Sequence, residues 1–361
     1  MSARLPEGNA LVYCQGAFRT PNGKTAHGLV RFTRRYRVLA VIDQSCAGED
    51  AGQVLDGRPC GIPVLASVAQ ALRRRFERRP THLVIGLAPD GGRLPGAARR
   101  EIRVALRAGL YLDSGLHDFL SLDPEFASLA RRRGVRIRDV RLPPPRERLH
   151  FFSGDIEKVG ALRVALLGTD SAVGKRTTAW RIVDELNRRG ISAELIGTGQ
   201  TAWMQGARYG IILDSLVNDF VSGEIEHAVV RAWRERRPRV MVIEGQGSLM
   251  NPAYPGGFEI LAAARPHLVV MQHAPARREY DGFPGYRLHP LPRQIAAVKM
   301  ISDRPVVAVT VNHEGLTPAQ TRRACRAITR QTGLPAVDVL LDGAGVVADV
   351  IQRRLTPARR R

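Results

Sequence analysis

Lysine is nearly absent: Lys24, Lys158, Lys175 and Lys299 are the only four in 361 residues. The 55 basic residues, set against 34 acidic ones for a formal net charge of +21, are therefore almost all arginine, and they are spread along the chain. Aromatic residues are also few, at 6%, and none interleaves with arginines in a base-stacking pattern. A dispersed basic surface without such a motif argues against a specific nucleic-acid partner and predicts only weak, salt-sensitive attraction to polyanions. Cysteine is equally scarce. Cys14, Cys46, Cys60 and Cys325 show no C-x-x-C spacing, which argues against a disulfide framework or a zinc site and leaves buried thiols as the expectation. No apolar run approaches the roughly 18 residues of a membrane span, and the opening MSARLPEGNA has no signal-peptide core. A cytoplasmic setting without membrane partners is expected.

What is present is an ordinary globular composition, 44% apolar, in a chain long enough for two cores; single cores rarely grow past roughly 250 residues. ALVYC, VLAVID, HLVIGLAP, LYLDS and VRIRDV read as strands, with SVAQALRRRFERR and PGAARREIRVALRAG as amphipathic helices between them. This alternation predicts an N-terminal Rossmann-like parallel-sheet domain over residues 1–142. Three consecutive prolines in RLPPPRER break the pattern, and a linker is placed at 143–149. From 150 to 361 the alternation resumes: LRVALLG, SAELIGT, RVMVIEG, LVVMQHA and VVAVTVN as strands, TTAWRIVDELNRRG and LVNDFVSGEIEHAVVRAWRER as helices. Only the tail TPARRR is of low complexity. The fold class is α/β throughout, the second domain of the P-loop NTPase type.

That assignment rests on GTDSAVGKRTTAW, a glycine-rich turn running from a strand into a helix. Backbone amides at a helix N-terminus, the helix dipole and a lysine together attract phosphate. Gly168, Thr169, Asp170, Gly174, Lys175, Arg176, Thr177, Thr178 and Asn312 are the candidate nucleotide- or coenzyme-binding residues. The loop departs from the usual pattern at one place. A magnesium-binding Ser or Thr ordinarily follows the lysine directly, and here Arg176 stands there with Thr177 one residue later. Pyrophosphate binding survives that change, while ATP turnover becomes less certain.

Other candidates cluster at predicted strand ends, where parallel sheets bind ligands. Glu244 ends RVMVIE and opens GQGS; it is a candidate base, or a magnesium holder if ATP is used. His273 ends VVMQH and reads equally as a general base or a satisfied loop histidine. Gln246 and loop amides are candidates for stabilising an oxyanion. Thr198, Gln200, Thr201, Asp219 and Ser248 are candidate substrate residues, helix capping being the plainer role for Asp214 and Asp219. In the first half, Gly23-Lys24-Thr25 lies too far from Gly16 for a standard phosphate loop, and Asp43 resembles a ribose-binding acid without any G-x-G-x-x-G before it.

The segments TAHGLVRF, VIDQSCAGEDAGQVLDG, LVIGLAPDGGRLP, SGLHDFL, GTDSAVGKRTTA, GTGQTAWMQGARYG, NDFVSGEIEHAV, EGQGSLMNPAY and NHEGL, covering nearly the whole chain, resemble a bacterial and archaeal family catalogued as a domain of unknown function. The resemblance implies a Rossmann-like half followed by a P-loop half, and N-acetylation of D-glutamate from acetyl-CoA. The second half is also similar to dethiobiotin synthetase in GTDSAVGK, VIEGQG and Asn312. That likeness implies a phosphate loop, a magnesium-linked glutamate and an adenine-reading asparagine, with Arg176 as the departure. The leading expectation is an acyltransferase using acetyl-CoA to form an amide on a small amino acid. Its rivals are an amide ligase using ATP with Mg and a non-catalytic nucleotide-responsive binding protein. A homo-oligomer is expected.

Overall fold

The computed structural model describes residues 6–355, so the tail TPARRR and the first five residues lie outside the described part. The chain divides into two compact units. One runs to Pro144 and includes Gln200–Arg208; the other takes Pro145–Gly199 and the chain from Tyr209 onward.

The first unit is a six-stranded sheet of β1 (Gly8–Tyr13), β2 (Tyr36–Ile42), β3 (Val64–Leu65), β4 (His82–Ile85), β5 (Tyr111–Ser114) and β6 (Ile137–Asp139). Its order is β3-β2-β1-β4-β5-β6 with every pairing parallel. This is the Rossmann order, and it reverses direction between β1 and β4. The central strands are buried across their length, as Leu11, Val12, Leu83 and Val84 show, because helices cover both faces of a parallel sheet.

The structure differs from the sequence reading at three places. The helix expected over SVAQALRRRFERR is confined to Val68–Arg73, and Arg74 is already extended; a run of like charges leading into Pro80 disfavours further helical turns. Cys60 is exposed, and only the other three thiols are buried. Residues 200–208, read from sequence as part of the second domain, pack in the first unit. Met204 is buried in its core, and the Arg35 and Arg138 guanidinium groups lie 3.7 and 4.2 Å from the centre of the Trp203 ring. Arg35 Nε also donates to the Trp203 carbonyl at 2.6 Å and Gln205 Nε2 to that of Gly28 at 2.8 Å.

The second unit is a seven-stranded sheet of β7 (Leu162–Gly168), β8 (Ala193–Gly197), β9 (Tyr209–Gly210), β10 (Val240–Glu244), β11 (Leu268–His273), β12 (Val306–Val311) and β13 (Ala336–Val337). Its order is β13-β12-β11-β7-β10-β8-β9, again all parallel. β7 is central, and its neighbours β10 and β11 leave their carboxyl ends beside its own. Register sets Gln272 opposite Gly168 and Glu244 opposite Leu166. Among the described residues no helix is long and apolar enough to cross a membrane.

Candidate functional site

At the carboxyl end of β7 the chain turns through residues 169–174 into the helix Lys175–Arg188. Gly174 caps that helix at φ 98°, a conformation glycine adopts freely, and Ala172 holds φ 50°. A side chain at Gly168 would lie 2.9 Å from Lys175 Cδ and 3.0 Å from its Nζ, so glycine is what lets the lysine fold back over the strand end. Lys175 is buried and donates to the carbonyls of Asp170 and Gly247, each at 2.7 Å. Gly247 itself has φ 49°, and a Cβ there would collide with the Tyr254 carbonyl.

Burial lowers the Lys175 ammonium to about 8, opposed by the charges of Glu244 and Asp170. Glu244 is buried at the end of β10, and burial raises its carboxyl above the usual range against the pull of Arg176, the Thr198 amide and Lys175. Its Oε2 accepts the Thr198 N–H at 2.9 Å, while Thr198 Oγ1 donates to the Glu244 carbonyl at 3.1 Å. Gln246 Nε2 donates to the same Thr198 hydroxyl at 3.1 Å. Glu244, Gln246 and Thr198 are thus one hydrogen-bonded group.

Several predicted binding residues brace the loop. Asp170 is fully buried, and its carboxylate accepts from the Ser171 and Asp281 amides, Asn251 Nδ2 and Arg277 Nη1 at 2.7–3.0 Å. Four donors fill a carboxylate's acceptor sites, which makes Asp170 the hub of the loop. Thr178 Oγ1 donates to Gln272 Oε1 at 2.6 Å. Thr169 Oγ1 lies 3.0 Å from His273 Nδ1; burial lowers this imidazole to about 4, so it is neutral at pH 7. Asn312 Nδ2 donates to the Val173 carbonyl at 3.0 Å and its Oδ1 accepts from the Glu314 amide, leaving one N–H and one lone pair.

Arg176 and Thr177 occupy the first turn of the loop's helix. The Nε of Arg176 is sealed from solvent without a hydrogen-bond partner, and so is Oγ of Ser248, next to Gly247. The proposed substrate residues are divided between the two units, Thr198, Asp219 and Ser248 lying in the second. Gln200 and Thr201 belong to the first unit, where Thr201 Oγ1 lies 3.3 Å from Thr25 Oγ1, and Asp219 is exposed in the first turn of the helix Asn218–Arg236. The sequence reading missed Arg277, Asn251, Asp281 and Gln272. Asn251 lies within EGQGSLMNPAY, whereas Arg277 sits in an irregular loop after β11 that carries no periodic signal.

Taken together, the chain is a Rossmann-like domain joined to a P-loop domain whose sheet edge gathers a lysine, an arginine and a raised carboxylate. Residues 150–348 match the description "Domain of unknown function (DUF1611_C) P-loop domain", and residues 44–143 match "Domain of unknown function (DUF1611_N) Rossmann-like domain". The protein belongs to this DUF1611 family. It is 31% identical over 275 residues to a D-glutamate N-acetyltransferase of Tritonibacter scottomollicae, covering 74% of this chain and 80% of that one. It is 30% identical over the same length and coverage to another of that name from a Pseudoalteromonas species. The crystal structure of a DUF1611 family protein from Anabaena variabilis superposes with a TM-score of 0.88 at 30% identity, covering 96% of this chain and 99% of that one.

Proposed function

We propose that the protein is an N-acetyltransferase that moves the acetyl group of acetyl-CoA onto the amino group of D-glutamate, with the P-loop holding the coenzyme's phosphates. The observation that carries this reading is the glycine-rich turn with its buried Lys175 beside Glu244, a buried carboxylate that burial raises above the usual range, in a chain about 30% identical to two D-glutamate N-acetyltransferases. The orphaned Arg176 Nε and Ser248 Oγ suit a polyanion, since buried polar groups without partners cost free energy until a ligand meets them. Lys175 exchanges its two carbonyl partners for phosphate oxygens, and the remaining N–H and lone pair of Asn312 suit the edge of an adenine.

Acetyl-CoA supplies an activated acyl group as a thioester. The incoming ammonium must first lose a proton, and Glu244 is the candidate base, a buried carboxyl held above the usual range. The amine nitrogen then bonds to the acyl carbon, the carbon–sulfur bond breaks, the nitrogen's second proton goes to the departing thiolate, and Glu244 passes the first to solvent. Gln246 keeps one amide N–H beyond its bond to Thr198 and is placed in our reading at the developing negative oxygen. His273 orients Thr169 rather than serving as the base, because a group titrating near 4 is too weak for that task.

Purified protein incubated with acetyl-CoA and D-glutamate is expected to release free thiol and N-acetyl-D-glutamate, with L-glutamate as the comparison. Release of ADP or phosphate that requires magnesium and an amino acid, without reaction from acetyl-CoA, would establish the ATP-dependent amide ligase in its place. Ligand binding without either turnover would leave a nucleotide-responsive binding protein.

A further inference from the structure

The charge of the buried Glu244 carboxylate acts on both Lys175 and Arg176. The other cation at the loop, Arg277, is already matched by Asp170 at 3.0 Å and Glu314 at 2.7 Å. Arg176 is in a different state. The residue is half-buried, yet its Nε is sealed from solvent with no partner, and a buried N–H left without an acceptor is costly until a ligand meets it. Arg176 also stands where a phosphate loop places the hydroxyl that holds magnesium. Ser248, one residue from the carbonyl that holds Lys175, adds a second orphaned polar atom.

We propose that Arg176 is a built-in replacement for magnesium, a specificity residue that makes this loop accept a diphosphate group without a metal ion. A guanidinium offers fixed, forked N–H donors that match two phosphate oxygens, and it brings the positive charge that a bound metal otherwise supplies. A divalent ion in the same place would meet the repulsion of Arg176 and Lys175 together. Glu244, relieved of holding a metal, keeps its bond to Thr198 and stays available as a base. The ligand class that follows is a metal-free diphosphate such as the one in coenzyme A. This inference rests on the acetyltransferase reading for its biological ligand, but its test does not use acetyl transfer.

The probe is inorganic pyrophosphate, titrated calorimetrically in excess EDTA and in excess magnesium. The wild-type protein is expected to bind with affinities within about threefold of each other. Arg176→Thr, which restores the usual hydroxyl, is expected to lose at least about tenfold in EDTA and to regain affinity with magnesium. Arg176→Lys, which keeps the charge, is expected to remain metal-independent, and thermal melts of both variants confirm folding. Wild-type binding that depends on magnesium, no pyrophosphate binding in either condition, or Arg176→Thr binding as tightly as wild type in EDTA would each overturn the proposal. Magnesium-dependent pyrophosphate binding alongside intact acetyl transfer removes this inference alone. Metal-free binding without acetyl transfer removes only the reading under Proposed function.

Discussion

Each unit sets a Gly-Lys pair at the head of a helix that follows a central strand, and the two differ in whether their polar groups are already spent. In the first, Asp43 at the end of β2 is buried, and its carboxylate accepts the amides of Gly16 at 3.0 Å and Phe18 at 2.9 Å. Ser45 gives it two further bonds, and the Gly23 amide goes to the Thr20 carbonyl. Lys24 is exposed and Thr25 lies against Thr201. In the second unit the acid of the loop, Asp170, is held from behind by Asn251, Arg277 and Asp281. The first turn of the helix Lys175–Arg188, whose opening N–H groups have no partner within a helix, is capped only by a glycine. An internal carboxylate therefore takes the place of a ligand in one unit, while in the other the carboxylate braces a loop that still has donors to offer. The same fold can close a switch point or keep it open by the placement of one aspartate.

The largest expected effect sharpens the open side. Glu244→Gln keeps the shape and loses the base, so acetyl transfer should fall by about a hundredfold or more, roughly 2.7 kcal/mol of barrier, with coenzyme affinity little changed. Steady-state kinetics with D-glutamate would show this, and undiminished turnover would assign the base elsewhere. On the closed side, Asp43→Ala strips two loop amides of a charged acceptor and should destabilise the first unit by about 2 kcal/mol. Chemical denaturation reads that loss. A variant as stable as wild type would mean that the loop needs no internal anion.

Much of this contrast was legible before any coordinates. The strand–turn–helix at Gly168–Thr178 is continuous in sequence, so periodicity and glycine spacing reveal it. Glu244, His273 and Asn312 follow apolar strands, which tells a reader that they reach a sheet edge, and all three do. What stayed hidden depends on contacts between distant positions. Asp170 looks like a ligand contact until Arg277, more than a hundred residues away, is found bonded to it. Gln200 and Thr201 follow a strand of the second unit yet belong to the first, because Trp203 and Met204 find apolar and cationic surfaces there that no local pattern announces. Asp43, which resembles a ribose-binding acid in sequence, shows its role in bracing the loop only through its four hydrogen bonds.

Lys175 against Lys24 tests the comparison directly. Lys175→Ala should weaken coenzyme A binding at least tenfold, about 1.4 kcal/mol, while Lys24→Ala, at an exposed position, should leave it unchanged. Calorimetry on both variants separates the cases, and equal losses would erase the distinction between the two loops.

The smallest effect concerns acid stability, where the two units are more alike. His273 has an ordinary value of 6.5 and is lowered to about 4 by burial. As pH falls below 6.5 the unfolded chain takes up a proton that the folded one refuses, so the stability held above that value is lost progressively down to about 4. At pH 5.5 the cost relative to pH 7 is about 1.2 kcal/mol. His27 and His82 in the first unit are lowered by burial in the same way, so acid weakens both halves. His273→Gln removes one part of the second unit's share, His227 and His267 being lowered by burial too, and keeps a hydrogen-bonding group near Thr169. Denaturant midpoints at pH 7 and 5.5 should therefore move less for the second unit of the variant than for wild type, while those of the first unit move equally in both. If the variant is as acid-sensitive as wild type in its second unit, the imidazole is not held neutral by burial, and the base role assigned to Glu244 over His273 loses its physical reason.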